Sequence, residues 1–305
     1  MDAEFTTTGR VPRERLRALA ERRDRPGAVR FAVQATLLLV TTGVLVMAPG
    51  GWPLVAAMVA AGLVQYTFFG PLHECCHGTP FKSRRLHGVV SWTASFVQLF
   101  GPSLMRSFHH AHHRHTHELA NDPELGGMAF MARWPRGFMW LLTVSGLPVL
   151  LARTGWLLLT TVNPPWAVWT KALPFAEPGD RAGIVRDSRV LFLLHGALIA
   201  AGVWWVPELL RWYGAAWLGH AFLSVHITCE HRGLPEGGDV LDRTRSFGGN
   251  PLLDWFLWNM PYHAEHHAYP AVPFHALPTL HEELDGQLPH GGGSVFGLHL
   301  RRGTE

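Results

Sequence analysis

Two neighbouring stretches without any charged residue limit what this chain can fold into. The first, residues 31–48, has 18 residues, and the second covers residues 52–72. An α-helix of this length measures ~27 Å, close to the ~30 Å hydrocarbon core of a bilayer. Pro49, Gly50 and Gly51 lie between the two stretches and break helical structure. The pattern therefore predicts a tight transmembrane hairpin.

A second hairpin is predicted at residues 190–206 and 212–229. Trp204, Trp205 and Trp212 flank its short connection, where tryptophan suits the membrane–water interface. Basic residues precede and follow both hairpins, so the positive-inside rule places the outer ends of both in the cytoplasm.

Two further apolar stretches, residues 88–105 and 137–159, lie between the hairpins. Pro148 and Arg153 interrupt the second of them. A single crossing by either stretch would invert the second hairpin relative to its flanking arginines. We therefore expect interfacial or re-entrant segments here.

The two ends of the chain carry no membrane signal. Residues 1–30 contain eight arginines and no apolar segment with a cleavage site, which predicts an uncleaved cytosolic arm. The basic run has no interleaved aromatic residues and adjoins a predicted span, so no nucleic-acid partner is expected. Residues 288–305 are rich in glycine and are expected to form a flexible tail. The membrane domain is thus predicted to cover residues 31–287.

Composition excludes several classes of protein. With 48% hydrophobic and 16% charged residues, against ~25% charged in soluble globular proteins, neither a disordered chain nor a collagen-like fibre fits. Three cysteines, Cys75, Cys76 and Cys229, are too few for a secreted disulfide scaffold. The unusual count is histidine, with 20 residues in 305.

Eight of these histidines form three clusters, which we call boxes 1, 2 and 3. Box 1 has H-x-x-x-H spacing, and boxes 2 and 3 both have H-x-x-H-H spacing. The boxes are His73 and His77; His109, His112 and His113; and His263, His266 and His267. Box 1 also matches the zinc-protease pattern H-E-x-x-H, in which Glu74 would be the general base.

The spacing within the boxes indicates metal binding. Helix positions i, i+3 and i+4 lie close to one face, so each box can direct two or three imidazoles to a common centre. A single tetrahedral zinc takes three or four protein ligands, and the surplus therefore indicates two metals. Neutral imidazole suits Fe, Zn, Cu or Ni, so the ligand type leaves the metal open.

With these boxes the chain resembles the membrane fatty acid desaturase and hydroxylase superfamily, and bacterial fatty acid desaturases in particular. The resemblance covers about residues 30 to 285 and also rests on N-D-P-E at residues 121–124 and N-M-P-Y at residues 259–262. It implies an all-α polytopic membrane protein with four transmembrane helices in two hairpins and a cytosolic helical cap that carries the boxes. It further implies two iron ions, O2 as co-substrate and an external electron donor.

The resemblance also implies a ninth ligand just after the last span. Related bacterial sequences have A-E-H-x-G there, and this chain has C-E-H-R-G at residues 229–233. His231 is therefore expected to bind metal, whereas His226 lies about 140° round the helix from it. The departures from the family pattern are Cys229, His110 and the Cys75–Cys76 pair. The expected ligand set is His73, His77, His109, His112, His113, His231, His263, His266 and His267.

Other polar residues near the boxes are candidates for supporting roles. A ligand histidine usually donates its second N–H to a carboxylate or carbonyl, and the carboxylates within or beside the boxes are Glu74, Asp122, Glu230 and Glu265. The roles of six more histidines stay open: His110, His115, His117, His195, His220 and His226. Five others are interpreted as ordinary loop residues: His87, His275, His281, His290 and His299.

The resemblance favours O2-dependent desaturation of a long-chain fatty acyl or similar apolar chain, in the cytoplasmic membrane of a bacterium with the active site on the cytosolic side. A hydroxylase or ketolase of the same superfamily, acting for instance on a carotenoid, stays open. So do an intramembrane zinc protease and a non-enzymatic transporter or metal carrier. The sequence also does not decide whether the acyl chain is carried by CoA, by acyl-carrier protein or by a lipid.

The sequence contains no electron-carrying site of its own. It has no C-x-x-C-H haem-attachment motif, no four-cysteine iron–sulfur set and no G-x-G-x-x-G. Electrons are therefore expected from another protein, a ferredoxin or similar carrier with its reductase. Arg84 and Arg85 are candidates for docking an acidic donor.

Overall fold

The computed structural model describes residues 10–248, 250–284 and 286–301. These residues fold into α-helices joined by short 3-10 turns and loops, and they contain no β-strand, only an isolated bridge between Ser246 and Gly291. The helices before the second predicted hairpin are α1 (Arg13–Leu19), α2 (Asp24–Met47), α3 (Trp52–Thr67), α4 (Phe69–His77), α5 (Arg84–Gln98), α6 (Pro102–Arg114), α7 (Ala129–Ala132), α8 (Gly137–Val144), α9 (Leu147–Val162) and α10 (Trp166–Ala172). The remaining helices are α11 (Arg181–Trp204), α12 (Arg211–His231), α13 (Pro251–Phe256), α14 (His263–Ala268), α15 (Leu277–Glu283) and α16 (Val295–Arg301).

The first predicted hairpin is formed by α2 and α3. Gly51 precedes α3 with φ of 76°, a left-handed conformation that glycine adopts without strain. After a break at Phe68, α3 continues into α4, and Trp52–His77 together is one of two helices in the described residues that are long and apolar enough to cross a membrane. The other is Asp24–Met47. Box 1 therefore lies at the end of a candidate span.

The second predicted hairpin is formed by α11 and α12, which have 24 and 21 residues and are joined by the 3-10 turn Pro207–Leu210. Two glycines let α12 approach α3 closely. A Cβ on Gly62 would lie 2.8 Å from the Ala215 carbonyl oxygen, and one on Gly219 would lie 3.0 Å from the Gly62 carbonyl oxygen. Neither α11 nor α12 is among the two helices of the described residues that are long and apolar enough to cross a membrane.

The two intermediate apolar stretches are both broken. Within residues 88–105, α5 ends at Leu99, which has φ of 54°, and α6 starts afresh at Pro102. In the second stretch α8 and α9 meet at an angle of 57°, the geometry of a broken span or a re-entrant loop. Gly146 lies at this bend with a left-handed φ of 67°, and a Cβ there would also collide with the Ala221 backbone of α12.

Both ends of the chain are folded where the structure describes them, and the C-terminal segment contains a helix where a flexible tail was expected. In the arm, Val11 and Leu19 are buried in a cluster with Leu280, and Arg15 Nε lies 2.6 Å from Glu283 Oε1. The chain between α15 and the end of the described residues pairs with Ser246 and forms α16 instead of a flexible tail. The physical reason is burial of apolar side chains that alternate with the basic and glycine residues. Residues 1–9 and 302–305 lie outside the described part.

Candidate metal centre

Three helix ends and one short helix carry the predicted ligand histidines. α4 ends with His77 because Gly78 adopts a left-handed φ of 68°, a common way to terminate a helix. Box 2 forms the last turns of α6, and His231 is the last residue of α12. Box 3 makes up most of α14, all six residues of which are buried. The four segments converge, and the nine histidines separate into two groups.

The five-histidine group contains His73, His77, His109, His113 and His266, one ligand nitrogen from each lying within 4.8 Å of the others. The closest pairs join different helices as well as turns of one helix. His113 Nε2 lies 2.9 Å from His109 Nε2, and His266 Nε2 lies 3.1 Å from His77 Nε2. All five side chains are buried except that of His77, which is half-buried.

The four-histidine group contains His112, His231, His263 and His267, again with one ligand nitrogen from each within 4.8 Å of the others. His231 is at its centre: its Nε2 lies 2.8 Å from His263 Nε2 and 3.2 Å from His112 Nε2. All four side chains are buried. The ninth histidine thus lies in this group together with histidines of boxes 2 and 3.

In boxes 2 and 3 the middle histidine belongs to a different group from the first and last histidines. His109 and His113, four residues apart, face the five-histidine group, but His112 between them faces the other group. In box 3, His263 and His267 face the four-histidine group and His266 faces the five-histidine group. The expectation that each box serves one common centre is therefore too simple, because position i+3 is turned about 100° from i+4 on an α-helix.

The donor set fits two metal ions of the imidazole-binding kind. Two nitrogens bound at a right angle to one ion, each ~2.1 Å away, are about 3.0 Å apart, close to the Nε2–Nε2 distances in both groups. His73 Nε2 and His267 Nε2 are buried and have no hydrogen-bond partner among the described residues. Such nitrogens are costly to bury unless something else binds them, and a metal ion at each group would do so.

Burial also puts these imidazoles into the protonation state that a metal requires. It lowers the pKa values of five ligand histidines outside the candidate spans well below 6.5, and the neighbouring imidazoles add to the effect: His109, His113, His263, His266 and His267. Neutral imidazole is the form that ligates metal. The site is therefore ready to bind metal at neutral pH without first losing protons from these residues.

His112 is the exception because it has carboxylate neighbours. Its Nδ1 lies 2.9 Å from Asp122 Oδ1 and 4.0 Å from Glu124 Oε2. Burial alone would lower the pKa of His112, but these two carboxylates raise it to about 9. Asp122 also accepts hydrogen bonds from the backbone N–H groups of His117 and Glu124 at 2.7 and 2.9 Å, so the loop after box 2 is built around this carboxylate.

The remaining carboxylate candidates have different positions. Glu230 Oε1 lies 3.5 Å from His263 Nδ1 and 3.6 Å from His226 Nε2. Glu74 accepts hydrogen bonds from the Thr79 hydroxyl and the Phe274 backbone N–H, while His73 Nδ1 is 3.8 Å away. Glu265 binds Ser246 and His281. Of the four, Asp122 makes a direct hydrogen bond to a ligand histidine, Glu230 lies near one, and Glu74 and Glu265 tie the box helices to neighbouring segments.

Two supporting groups were not found from the sequence. His231 Nδ1 donates to the Arg243 carbonyl oxygen at 2.9 Å, and His267 Nδ1 lies 3.1 Å from the Thr116 hydroxyl. Thr116 lies inside the run from His109 to His117, so its place beside box 2 was a usable signal. A backbone carbonyl carries no sequence signal at all.

The six histidines with open roles are not members of either group. His115 pairs with Glu118 at 3.0 Å, and His117 lies 2.9 Å from the Pro235 carbonyl oxygen. The others lie on helices: His226 Nδ1 is 2.8 Å from the Tyr66 hydroxyl, His220 Nδ1 donates to Ala216 at 2.7 Å, His195 stacks on Phe96, and His110 lines a cavity beside His77. Two histidines interpreted as loop residues make tertiary contacts, since His281 binds Glu265 and His299 binds the Val225 carbonyl oxygen.

Comparison with known proteins points to one family of enzymes, the desaturases. The family model "Fatty acid desaturase" matches residues 49–298. A sphingolipid delta(4)-desaturase of Drosophila melanogaster is 24% identical over 233 residues, 75% of this chain and 65% of that protein. A delta(6)-fatty-acid desaturase of Caenorhabditis elegans is 23% identical over 251 residues (73% and 56%), and a fatty acid desaturase of Bacillus subtilis is 24% identical over 253 residues (75% and 67%). The match thus spans between about half and two thirds of the length of these relatives.

Proposed function

The chain belongs to the fatty acid desaturase family and is an oxidoreductase, and from this premise we propose that it is an O2-dependent di-iron desaturase of a long-chain fatty acyl or similar apolar chain. The observation that carries the proposal is the division of nine buried or half-buried histidines into two metal-sized groups. A site for a single metal ion would need only one of these two groups. The named relatives act on sphingolipids and fatty acids, which supports a lipid substrate.

The chemistry requires oxidising power that side chains lack. Removing two hydrogens from adjacent methylenes yields a double bond, and with O2, two electrons and two protons the balance is closed by two waters. Two iron ions, one held by each histidine group, would supply this oxidation when bound. We assign His73, His77, His109, His113 and His266 to one ion and His112, His231, His263 and His267 to the other.

The protein itself contributes orientation and exclusion of water. The Asp122 carboxylate, the Arg243 carbonyl and the Thr116 hydroxyl each hold the Nδ1 of a ligand histidine, so that Nε2 points to the centre of the four-histidine group. Eight of the nine ligand side chains are buried, which keeps bulk water from the oxidising site. The half-buried His77 marks the side from which the centre is approached.

The membrane arrangement belongs to the same proposal. We place spans near residues 31–48, 52–72, 190–206 and 212–229, with both hairpins entering from the cytosol and the histidine boxes on the cytosolic side of a bacterial cytoplasmic membrane. The family is membrane-bound, and two candidate spans are present in the first hairpin. In the second hairpin, Leu193 and Trp204 are 69% and 72% exposed, as expected for side chains that face lipid. We assign residues 31–287 to the desaturase domain, against which Val11 and Leu19 of the arm pack in the described part of the chain.

The electron donor is proposed to be a ferredoxin or similar acidic carrier. Arg84 and Arg85 begin α5, directly after the loop that follows box 1, and both are exposed. Neither side chain has a hydrogen-bond or carboxylate partner in the described part of the chain. They offer an acidic protein two free positive charges near the five-histidine group.

The zinc-protease interpretation of box 1 has no structural support. A general base must direct a carboxylate oxygen at a zinc-bound water, whereas the Glu74 carboxylate is buried and its Oε2 is held by hydrogen bonds from Thr79 and Phe274. His73 and His77 share their group with three further histidines instead of forming a separate site.

The test is product analysis. The chain is expressed with a ferredoxin and its reductase in a bacterial host, and the host lipids are compared by mass spectrometry with those of a host that expresses His266→Ala. Desaturation predicts products lighter by two hydrogens that are absent from the variant. Products that gain one oxygen instead would assign hydroxylation or ketone formation, and unchanged lipids with a fully iron-loaded protein would contradict an acyl-lipid substrate.

A further inference from the structure

Arg153 of α9 is a buried cation that the metal centre does not use. The residue is 6% exposed, and its Nη1 donates to the side-chain and backbone oxygens of Gln98 at 2.6 and 3.2 Å. Gln98 is the last residue of α5, where helix carbonyls carry a partial negative charge. A full positive charge in a protein interior is costly unless an anion pairs with it. The end of α5 offsets only part of that cost.

One edge of the Arg153 guanidinium is free. Within the described residues, Nε and Nη2 make no hydrogen bond, and no carboxylate oxygen lies within 4.0 Å of the group. These two nitrogens present parallel N–H groups, the arrangement through which arginine binds a carboxylate with two hydrogen bonds. The remaining 6% exposure means that the residue is not completely enclosed. Arg153 is therefore equipped to bind an anion that the chain itself does not supply.

Two aromatic rings hold the guanidinium of Arg153 in place. Its Cζ lies 5.0 Å from the ring centroid of Phe100 and 5.7 Å from that of Phe69. Cation–π contacts of this kind restrict how the planar group can turn. Phe100 also contacts Phe108 and Trp156, with ring centroids 5.8 and 6.0 Å away. The cation thus borders an aromatic cluster, which suits a ligand that joins an anionic end to an apolar body.

Arg153 lies beside both histidine groups. The ring of Phe69 packs on that of His73, a member of the five-histidine group, with centroids 5.9 Å apart. On the other side, the charge of Glu124 stabilises the Arg153 cation from more than 4.0 Å away. Glu124 Oε2 itself lies 4.0 Å from Nδ1 of His112 in the four-histidine group. An anion on the free edge of Arg153 would therefore lie one side chain away from each group.

A second unpartnered group is connected to Arg153. Gln98 Nε2 donates to the Gln65 backbone oxygen at 2.7 Å, which links Arg153 through Gln98 to α3. The side chain of Gln65 is buried, and in the described part of the chain neither its nitrogen nor its oxygen has a hydrogen-bond partner. Buried amides are rarely left in this state. Two incompletely bonded polar side chains in one hydrogen-bonded series indicate a place for the polar group of a ligand.

We propose that the Nε–Nη2 edge of Arg153 binds the carboxylate of a free carboxylic acid with an apolar body. The inference rests on the proposed function and adds to it the class of substrate, an acid whose carboxylate is bound inside the protein. An ester or thioester has no negative charge to pair with the buried arginine. Because the carboxylate is held beside the histidine groups, the methylenes near it are the ones presented for oxidation.

The test measures binding in the absence of an electron donor, so that it does not depend on turnover. Purified iron-loaded protein in nanodiscs of zwitterionic lipid is titrated with stearate and with methyl stearate, which has the same chain without the charge. Wild type is compared with Arg153→Met and Arg153→Lys. Arg211→Met is the matched control, because Arg211 is a partly buried arginine that binds only backbone carbonyls, at residues 45, 46 and 48. Iron content and melting temperature show whether each variant is folded.

We expect wild type to bind stearate at least about tenfold more tightly than methyl stearate, because the charged pair of hydrogen bonds forms only with the acid. Arg153→Met should abolish this preference. Arg153→Lys should keep part of it, since an ammonium group preserves the charge but not the two parallel N–H groups. Arg211→Met should keep all of it.

Equal affinity of wild type for stearate and methyl stearate would overturn the proposal, whether or not the variants fold. A preference for stearate that survives in folded Arg153→Met would do the same. Product analysis distinguishes this inference from the proposed function. Stearate binding that depends on Arg153, in a protein that forms no desaturated product, would leave the carboxylate site standing and contradict the desaturase function. Desaturation of an acyl-lipid by a protein that does not bind stearate would contradict the carboxylate site alone.

Discussion

His112 and His113 are consecutive residues whose imidazole rings lie 6.0 Å apart at an angle of 78° and belong to different histidine groups. Two adjacent residues of α6 therefore serve the two proposed metal sites. The same relationship holds for His266 and His267 of box 3, with rings 5.9 Å apart at 87°. Boxes 2 and 3 are thus the elements that connect the two groups.

Alanine at His112 and at His113 should have separate effects on the two metals. His112→Ala leaves three histidines in its group and should retain about one iron per chain. His113→Ala leaves four in the other group, as many as the first group has in wild type, and should retain close to two irons. Both variants should lose product formation. Iron per chain by elemental analysis and product by mass spectrometry check this. His115→Ala is the matched control, because His115 follows in the same box and pairs with Glu118 outside both groups.

Full iron content with normal product in His112→Ala would remove that residue from the ligand set. Loss of iron in His115→Ala as severe as in His112→Ala would show that the whole segment, not the ligand nitrogen, determines metal content.

Asp122→Asn should weaken the metal centre without removing a ligand. The carboxylate accepts from His112 Nδ1 and from two backbone N–H groups, and an amide cannot accept all three. We expect iron affinity or activity to fall ~10–100-fold, the usual cost of losing such a partner. Competition with an iron chelator measures the affinity. Glu283→Gln, which changes a carboxylate that pairs with Arg15 far along the chain, should behave as wild type.

The metal-free protein should lose stability as the pH falls from about 7 to 5. Five buried ligand histidines have pKa values well below 6.5 in the folded protein, so at these pH values the unfolded chain binds more protons than the folded one. Each fully effective histidine contributes about 1.4 kcal/mol per pH unit. His112, whose pKa is raised to about 9, acts in the opposite direction but is outnumbered.

Melting temperatures of the metal-free protein in detergent, recorded across this range, check the pH dependence. His267→Ala removes one of the five groups and should flatten the slope, whereas His115→Ala should not. A melting temperature that stays constant or rises as the pH falls would show that these imidazoles are not held neutral by burial.

Reversing the charge of Arg84 and Arg85 should impair electron delivery and leave the metal centre intact. Arg84→Glu with Arg85→Glu is expected to raise the KM for an acidic ferredoxin about tenfold at low salt and much less at high salt, because exposed charges are screened. Arg13→Glu with Arg17→Glu, at two exposed arginines of α1, changes the net charge by the same amount and is the control. If donor-dependent turnover is unchanged at low salt, the donor docks elsewhere.

The sequence predicted the set of candidate ligand histidines but not how they divide between the two groups. Spacing and family resemblance together selected nine residues, and those nine make up both groups. Which group each histidine joins depends on how α6 and α14 are rotated against α4 and α12, and a rotation of that kind is set by packing between segments distant in sequence. The same applies to the carbonyl of Arg243, which supports His231 through a backbone atom of no particular residue type.

The ends of the chain show a second limit of sequence reasoning. Eight arginines in residues 1–30 predicted a cytosolic arm but gave no sign that Val11 and Leu19 would be buried in a cluster with Leu280. At the other end, the buried Leu298 and the contact from His299 to α12 anchor a segment whose glycines suggested flexibility. In both cases one or two buried apolar side chains help to hold the segment against the rest of the protein, and so few residues hardly change its overall composition.

The iron content of the purified protein tests the central claim most directly. Elemental analysis of the chain, purified from membranes without chelators, should find two irons per chain, and His267→Ala, which leaves three histidines in the four-histidine group, should hold about one. A single zinc per chain with no iron would contradict the account, because four or five histidines would then be left without a metal to bind.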